Sequence, residues 1–590
     1  MLPTALAALP EAAAWHVLAN WRLPRLNHRI DAVILTPRVI IACALRQGRR
    51  HASRDRDAIE DAALDLHDFH AASRAHPVVP LLVTADARRC DDRRPLLLPG
   101  VSPVVEASAA TLAATLRDLS RAPLCPALDP LAWQAAPYHP IPSLIEAARM
   151  LHARHGVADI AASHATAANL RETRAALARA IAAASAGRPT IAFVTGIPGA
   201  GKTLCGLDTA FAGEAAFLTG NPALVHVLRE ALARDAPGSL RAARQRMEAV
   251  IQALPAFRDH YAIAGAPPER VIVVDEAQRC WTAAHAIAKT AKRPVPLAES
   301  EPGCLLDIMR RRQDGPVIVA LVGGGQEIHA GEGGLAEWGE ALRSRPEWRI
   351  LAAPDALDAI VPRQRLPRLP GVELVPALHL AIPVRSLRCA AAPAWVDAVL
   401  AGNATAARAL ASPGMPFAVT RDLATMRARL RIACRGSRRA GLLASAEAKR
   451  LRAEGLGLTL PHDDPAAVAR WFLDRFPDIR ASDALEVAAT EFFAQGLELD
   501  AAGLCWDGDL VRERGAWQAR RFRGTGWTRP RGDAARANRL NAYRVLLTRA
   551  RYETVIWVPR GDPGDPTRDP ATLDAVAAFL LSCGASKLGD

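Results

Sequence analysis

The sequence predicts an α/β fold built mostly on parallel sheets, and three observations carry that expectation. Short β-branched strands alternate with alanine- and arginine-rich helical stretches from about residue 144 onward. The buried-type run Thr190-Ile-Ala-Phe-Val-Thr195 feeds directly into a glycine-rich turn, and Arg270-Val-Ile-Val-Val274 delivers two adjacent acids at its carboxyl end. Parallel strands need crossover helices, which cover the sheet faces and leave the carboxyl edge open for ligands.

With 590 residues, 50% of them apolar, the chain exceeds what one hydrophobic core supports, and the length suggests about three or four domains. Residues 1–122 read as a small α/β unit. A helix is expected around Glu11 to Asn20, then strands Ala32-Val-Ile-Leu35 and Val39-Ile-Ile-Ala42. A second helix is expected over Asp57 to His70, where Ile59, Ala62, Ala63, Leu66 and Phe69 recur at helical spacing, followed by a strand from Val78 to Thr84. Prolines at 123, 126, 130, 137, 140 and 142 break regular structure and mark 123–143 as a linker.

No stretch reaches the roughly 18 uninterrupted apolar residues of a membrane helix, and the first Lys or Arg is Arg22, so a cationic secretory start is missing. The expectation is a cytoplasmic protein with no membrane partner. Ten cysteines are scattered singly, without a C-x-x-C pair, which predicts free thiols and no structural zinc. The net charge of +13 suits a polyanionic partner, although arginine-rich genome composition produces the same excess. Only Lys202, Lys289, Lys292, Lys449 and Lys587 are lysines. A lysine in a demanding position is therefore informative.

Lys202 is in such a position. Gly196-Ile-Pro-Gly-Ala-Gly-Lys-Thr203 fits G-x-x-x-x-G-K-[ST] after a strand. Gly196, Gly199 and Gly201 let backbone N–H groups close around phosphate oxygens, Lys202 reaches the β- and γ-phosphates, and the Thr203 hydroxyl ligates Mg²⁺. Downstream, Asp275 is the candidate for the Mg²⁺ shell, and Glu276 for accepting a proton from attacking water. The cofactors expected are ATP and Mg²⁺.

The Asp275-Glu-Ala-Gln278 run resembles motif II of superfamily 1 helicases, and further motifs follow in order. Pro316-Val-Ile-Val-Ala-Leu-Val-Gly-Gly-Gly-Gln-Glu327 resembles motif III, ending on the γ-phosphate-sensing Gln326. Ile382-Pro-Val-Arg-Ser386 resembles motif IV, where Arg385 and Arg388 compete for one role. Thr490-Glu-Phe-Phe-Ala-Gln-Gly-Leu-Glu498 resembles motif V, and Tyr543-Arg-Val-Leu-Leu-Thr-Arg-Ala-Arg551 resembles motif VI. Phe217-Leu-Thr-Gly-Asn-Pro222, Glu299-Ser-Glu-Pro302, Gly331-Glu-Gly-Gly334, Gly441-Leu-Leu-Ala-Ser445 and Gly561-Asp-Pro-Gly-Asp-Pro-Thr-Arg568 narrow the likeness to bacterial Schlafen-type helicases over roughly residues 140–585.

That resemblance implies two RecA-like P-loop lobes, residues 144–375 and 376–590, with ATP between them. It puts Lys202, Thr203, Asp275 and Glu276 on the first lobe, and Arg385, Glu498 and Arg549 on the second. Gln278, Gly496 and Glu498 would line the nucleotide, with Gln278 and Gln326 coupling its state to the grip on DNA or RNA. The family's company also implies bacterial antiviral defence.

The N-terminal run Trp21 to Leu35, followed by Val39 to Gly48, resembles the PD-(D/E)XK nuclease domain often joined to such helicases, a restriction-endonuclease-like α/β fold. Asp31 stands where the first metal-binding acid belongs, but Ala44-Leu45-Arg46 replaces the expected Glu-x-Lys. Alanine cannot ligate a metal, and a guanidinium does not exchange a proton with water. This is a degenerate site, unless an acid such as Asp57, Glu60 or Asp61 has taken over. The domain could still hold nucleic acid through its arginines or dock a protein partner. Three readings of activity remain: a motor, an ATPase switch that senses nucleic acid or a partner without unwinding, and a nuclease fed by the helicase lobes, against which Ala44 argues.

Overall fold

Strands β1 (His16–Arg22), β2 (Arg29–Leu35) and β3 (Ile40–Arg46) form an antiparallel meander in the computed structural model of the protein. That structure describes every residue except 24–28, 89, 91–96, 99, 122–124, 139–142, 154–163, 186, 198, 214, 294, 324–330, 360, 382–390, 413, 458–459, 461–463 and 590. The helix Ser53–Phe69 carries the chain back so that β4 (Pro77–Thr84) lies parallel to β3, and β5 (Gly100–Val101) and β6 (Val105–Ala107) pair parallel to β4. All eight residues of β4 are buried, as a central strand covered on both faces requires. Val79, Leu81 and Val83 pack with Ile34, Ile41 and Leu116 on one side, and Val78 and Leu82 with Ile59, Ala62 and Leu66 on the other.

The helix expected around Glu11 to Asn20 is not formed. Pro10–Ala14 makes a short 3₁₀ turn, and the chain from His16 pairs with β2 from Val17↔Ile34 to Arg22↔Arg29. Alanine at 12–14 favours a helix locally, but closing a sheet edge outweighs propensity differences of a few tenths of a kcal/mol per residue. Within the proline-rich stretch expected as a linker, Asp129 caps the helix Pro130–Ala135, and Leu128 and Trp133 enter the sheet's core. This first compact unit spans Met1–Pro142 and includes Arg435–Arg438.

The second unit contains two sheets that are parallel throughout. The first sheet runs β13 (Val372–Leu374), β12 (Arg349–Ala352), β7 (Thr190–Gly196), β11 (Val317–Leu321), β10 (Val271–Asp275), β8 (Ala215–Thr219), β9 (Ile251–Ala253), with β14 (His379–Leu380) also on β7. Its central strands β7, β10 and β11 are buried over nearly their whole length, and the core on one face gathers Ile191, Phe193, Ile272, Val274, Ile318 and Trp338. The β14 pairing carries this lobe to Leu380, past the boundary expected at 375. Gly196 permits it, because a Cβ there would lie 2.7 Å from the Leu380 carbonyl oxygen.

The second sheet runs β17 (Ala488–Thr490), β16 (Ala440–Ala444), β18 (Leu499–Cys505), β23 (Ala550–Trp557), β15 (Phe417–Thr420), β24 (Ser586–Lys587). Between β18 and the helix Asp533–Leu547 the chain makes two antiparallel hairpins that the strand–helix alternation did not predict. They are β19 (Leu510–Glu513) with β20 (Ala516–Ala519), and β21 (Arg521–Arg523) with β22 (Gly526–Thr528). Arg514 and Gly515, at φ of 49° and 78°, close the first by a two-residue turn of the kind that matches strand twist. Among the described residues no helix is long and apolar enough to cross a membrane.

Candidate functional site

The carboxyl edge of β7, β11 and β10 brings the predicted phosphate-handling groups together. Gly199 and Gly201 turn the chain through left-handed φ of 78° and 88° and launch the helix Lys202–Phe211, whose free N–H groups face the edge. Lys202 Nζ donates to the carbonyls of Gly196 at 2.8 Å and Ile197 at 3.1 Å. The lysine thus rests on its own loop, within reach of anything that loop holds. Thr203 Oγ1 donates to Asp275 Oδ1 at 3.2 Å, joining the two groups assigned to one metal.

Asp275 is only 6% exposed. Burial first, and the adjacent Glu276 charge second, push its carboxyl up to about 7, against the opposing effects of the Thr203 hydroxyl and the Lys202 charge. A carboxyl in that condition favours a cation beside it. Glu276 leaves the strand in a left-handed conformation, φ 52°, a backbone state costing about 1 kcal/mol or more for a residue with a side chain. That turn aims its carboxylate at Gln278, whose amide Nε2 donates to Glu276 Oε2 while Oε1 accepts the Gly323 N–H at 2.9 Å.

Sequence reasoning passed over Gly323. A Cβ there would lie 3.1 Å from Glu276 Oε2 and 3.6 Å from Lys202 Cε. The absent side chain leaves open the space between Glu276 and Lys202. Gln326, the motif III candidate, lies outside the described residues, as do Arg385 and Arg388 of motif IV.

Motif V meets the first lobe through Gln495. Its side-chain oxygen accepts from Arg279 Nη1 at 2.7 Å, and its backbone carbonyl accepts from Asn221 Nδ2. Arg279 also pairs with the buried Glu332 at 2.9 Å, and Asn221 caps the helix Pro222–Asp235. Gly496 lies against Leu224 of that helix, 3.2 Å from where a Cβ would sit, and Glu498 follows half-buried at the start of β18. None of Asn221, Arg279 and Gln495 was singled out from sequence. Asn-Pro at 221–222 is a pair that suits a helix start, but no local pattern signals a partner 216 or 274 residues away.

Arg549 is buried at 6% exposure, with Nε donating to Val545 O at 3.0 Å and Nη2 to Thr548 Oγ1 at 3.3 Å. Below motif V, Arg539 bonds Ser445 Oγ at 2.5 Å and pairs with Asp509 at 3.2 Å, and Asp509 also accepts from Tyr543 Oη at 2.7 Å. This network ties the helix Asp533–Leu547, two residues before Arg549, to the end of β16.

In the first unit Asp31 and Arg46 form an internal ion pair. Asp31 Oδ2 accepts from Leu45 N and from Arg46 Nη1, both at 2.8 Å, and Arg46 Nε bonds Asp55 at 2.9 Å. Ala44 is buried. Of the alternative acids, Glu60 pairs with Arg435 at 2.6 Å, Asp61 accepts the Ser437 N–H, and Asp57 is exposed.

Residues 189–560 match the family described as Schlafen group 3, DNA/RNA helicase domain. A comparison with curated proteins finds no match.

Proposed function

The chain belongs to the Schlafen group 3 DNA/RNA helicase family, and from that premise we propose an ATP-driven translocase of superfamily 1 type, working with Mg²⁺ on DNA or RNA. The observation that supports it most is the convergence of Lys202, Thr203, Asp275, Glu276 and Gln278 on one sheet edge, around a space kept open by Gly323.

The residues present fit a magnesium nucleotide. The glycine turn and helix start cradle anionic oxygens, and Lys202 exchanges two carbonyls for phosphate. Thr203 and Asp275 offer the hard oxygen ligands that Mg²⁺ takes. Bound there, the ion would neutralise charge on the phosphates. Glu276 is placed to receive a water proton, and Gln278, held by Gly323 N, to orient that water. Arg549, Arg385 and Gln326 are assigned to the γ-phosphate, with Gly496 and Glu498 beside the nucleotide. Arg279 begins one residue after Gln278 and ends on Gln495 of the second lobe. A shift at the hydrolytic site therefore pulls directly on motif V, the kind of two-state contact a motor needs.

Glu276→Gln is expected to bind ATP as well as wild type and to hydrolyse it at least about a hundredfold more slowly, since removing a general base typically costs 10²–10⁴-fold. Fluorescent-nucleotide titration alongside phosphate release checks this, and loss of ATP binding would contradict the assigned role. The reading as a whole is tested by ATPase activity measured with and without Mg²⁺ against single-stranded and duplex DNA and RNA. Stimulation by nucleic acid is expected. A rate indifferent to every nucleic acid would count against it.

For the first unit we propose a nuclease-like fold whose metal site is disabled, supported by the Arg46 guanidinium bonded to Asp31 where a cation would be held. One carboxylate leaves a divalent ion mostly hydrated and weakly bound. Wild type is expected not to cut labelled DNA or RNA with Mg²⁺ or Mn²⁺, with or without ATP. Metal-dependent cleavage that disappears in Asp31→Ala would overturn this.

A further inference from the structure

The two hairpins between β18 and the helix Asp533–Leu547 play no part in the nucleotide site, yet they carry an unusual sequence. From Arg514 to Gly532 there are six arginines and no acidic residue. Strand alternation in Arg521-Phe522-Arg523 turns Phe522 inward and both arginines outward. Phe522 packs edge-on against Trp527, with centroids 5.3 Å apart, and the Arg450 guanidinium lies 5.4 Å from its ring. Trp527 donates to Thr567 O at 2.7 Å and lies against Gly508, where a Cβ would be 2.8 Å from its ring. Arg520 adds a bond to Gly508 O at 2.7 Å. The aromatics brace the second hairpin on the lobe and are not left open for stacking.

What remains outward is charge. Arg521, Arg523, Arg529 and Arg531 are exposed. Arg521 and Arg529 have carboxylate partners in Glu447 and Glu513, exposed pairs of the kind worth about 0–1 kcal/mol that a phosphate can displace. No ion pair is recorded for Arg523 or Arg531 among the described residues. Like charges gathered on a rigid, braced ribbon repel one another, and a polyanion lying across them relieves that repulsion by releasing its counterions. The ribbon leads through the 15-residue helix Asp533–Leu547 to Thr548 and Arg549, so a grip here is joined by a stiff rod to the motif VI arginine.

We propose that the hairpin Arg521–Thr528, together with Arg529 and Arg531, is a nucleic-acid-binding element of the second lobe that contacts the phosphate backbone through Arg523 and Arg531. This rests on the helicase reading above and names the surface by which the motor holds its strand.

The test uses the full-length chain, wild type and Arg523→Ala/Arg531→Ala, with fluorescein-labelled single-stranded DNA and RNA oligonucleotides titrated by anisotropy across a salt series. Both positions are exposed and neither is among the residues assigned to the nucleotide, so basal ATPase without nucleic acid should be unchanged and serves as the folding control. The variant is expected to bind on the order of ten- to thirtyfold more weakly at 0.1 M salt, with the slope of log K against log salt smaller by about 1.4, the loss of two single-strand phosphate contacts. Arg523→Lys/Arg531→Lys should restore the slope, because phosphate contact asks for charge. Wild-type affinity and slope in the alanine variant would overturn the hairpin assignment alone. Wild type that binds none of the probes would overturn the helicase reading and the hairpin with it.

Discussion

Lys202→Ala is expected to reduce ATP turnover by about a thousandfold or more while leaving the chain folded. Lys202 Nζ donates to the carbonyls of Gly196 and Ile197, and the side chain is half-buried at a helix start, so its removal opens no apolar cavity. What is lost is a positive charge at the phosphates. Removing one preorganised donor from a site of developing charge costs about 10²–10³ in rate, and a full charge in a partly water-excluded cleft is worth more than a neutral donor. Phosphate release by the purified variant, with its thermal melting curve as control, checks both halves. Hydrolysis near the wild-type rate would mean that the glycine turn is not a phosphate site.

Arg549→Ala is expected to keep ATP binding and lose on the order of a thousandfold in turnover, the low end of what a phosphate-facing arginine supplies. In the structure its guanidinium is folded back on Val545 O and Thr548 Oγ1. Reaching a nucleotide therefore requires the side chain to leave those bonds, which makes it a group that acts only in one arrangement of the lobes. The backbone carbonyl of Arg549 accepts the Leu499 N–H, an interaction that alanine preserves. Unchanged melting together with unchanged nucleotide affinity separates this role from a structural one. A change in turnover of less than about twofold would remove Arg549 from the site.

The Gly196–Thr203 run and the Asp275–Gln278 turn stood out in the sequence because each is complete within one strand and the residues that follow it. The dipeptide at 275–276 needs only β10 to end where it does. Lys202 stood out further because lysine is so scarce in this chain. The Asn221–Gln495–Arg279 contact was not legible, since it joins residues more than two hundred positions apart and depends on how two separately folded sheets meet. The edge strand His16–Arg22 was misread as helix because its partner β2 lies further along the chain, while the alanines before it speak locally. The hairpins at 510–528 were missed for a related reason: strands of three or four residues are too short to show a period against an arginine-rich background. At Asp31 and Arg46 the sequence suggests a lost metal site, and what the structure adds is that the two side chains form an ion pair.

Movement of this chain along nucleic acid at the expense of ATP is measured by displacement of a bound obstacle. An oligonucleotide of DNA or RNA carrying a streptavidin–biotin block at one end is incubated with the full-length protein, with free biotin as trap. Displacement is expected from one end only, dependent on ATP and Mg²⁺, absent in Lys202→Ala and slowed by at least about a hundredfold in Glu276→Gln. Nucleic-acid-stimulated hydrolysis without displacement at either end would contradict it and make the protein a switch.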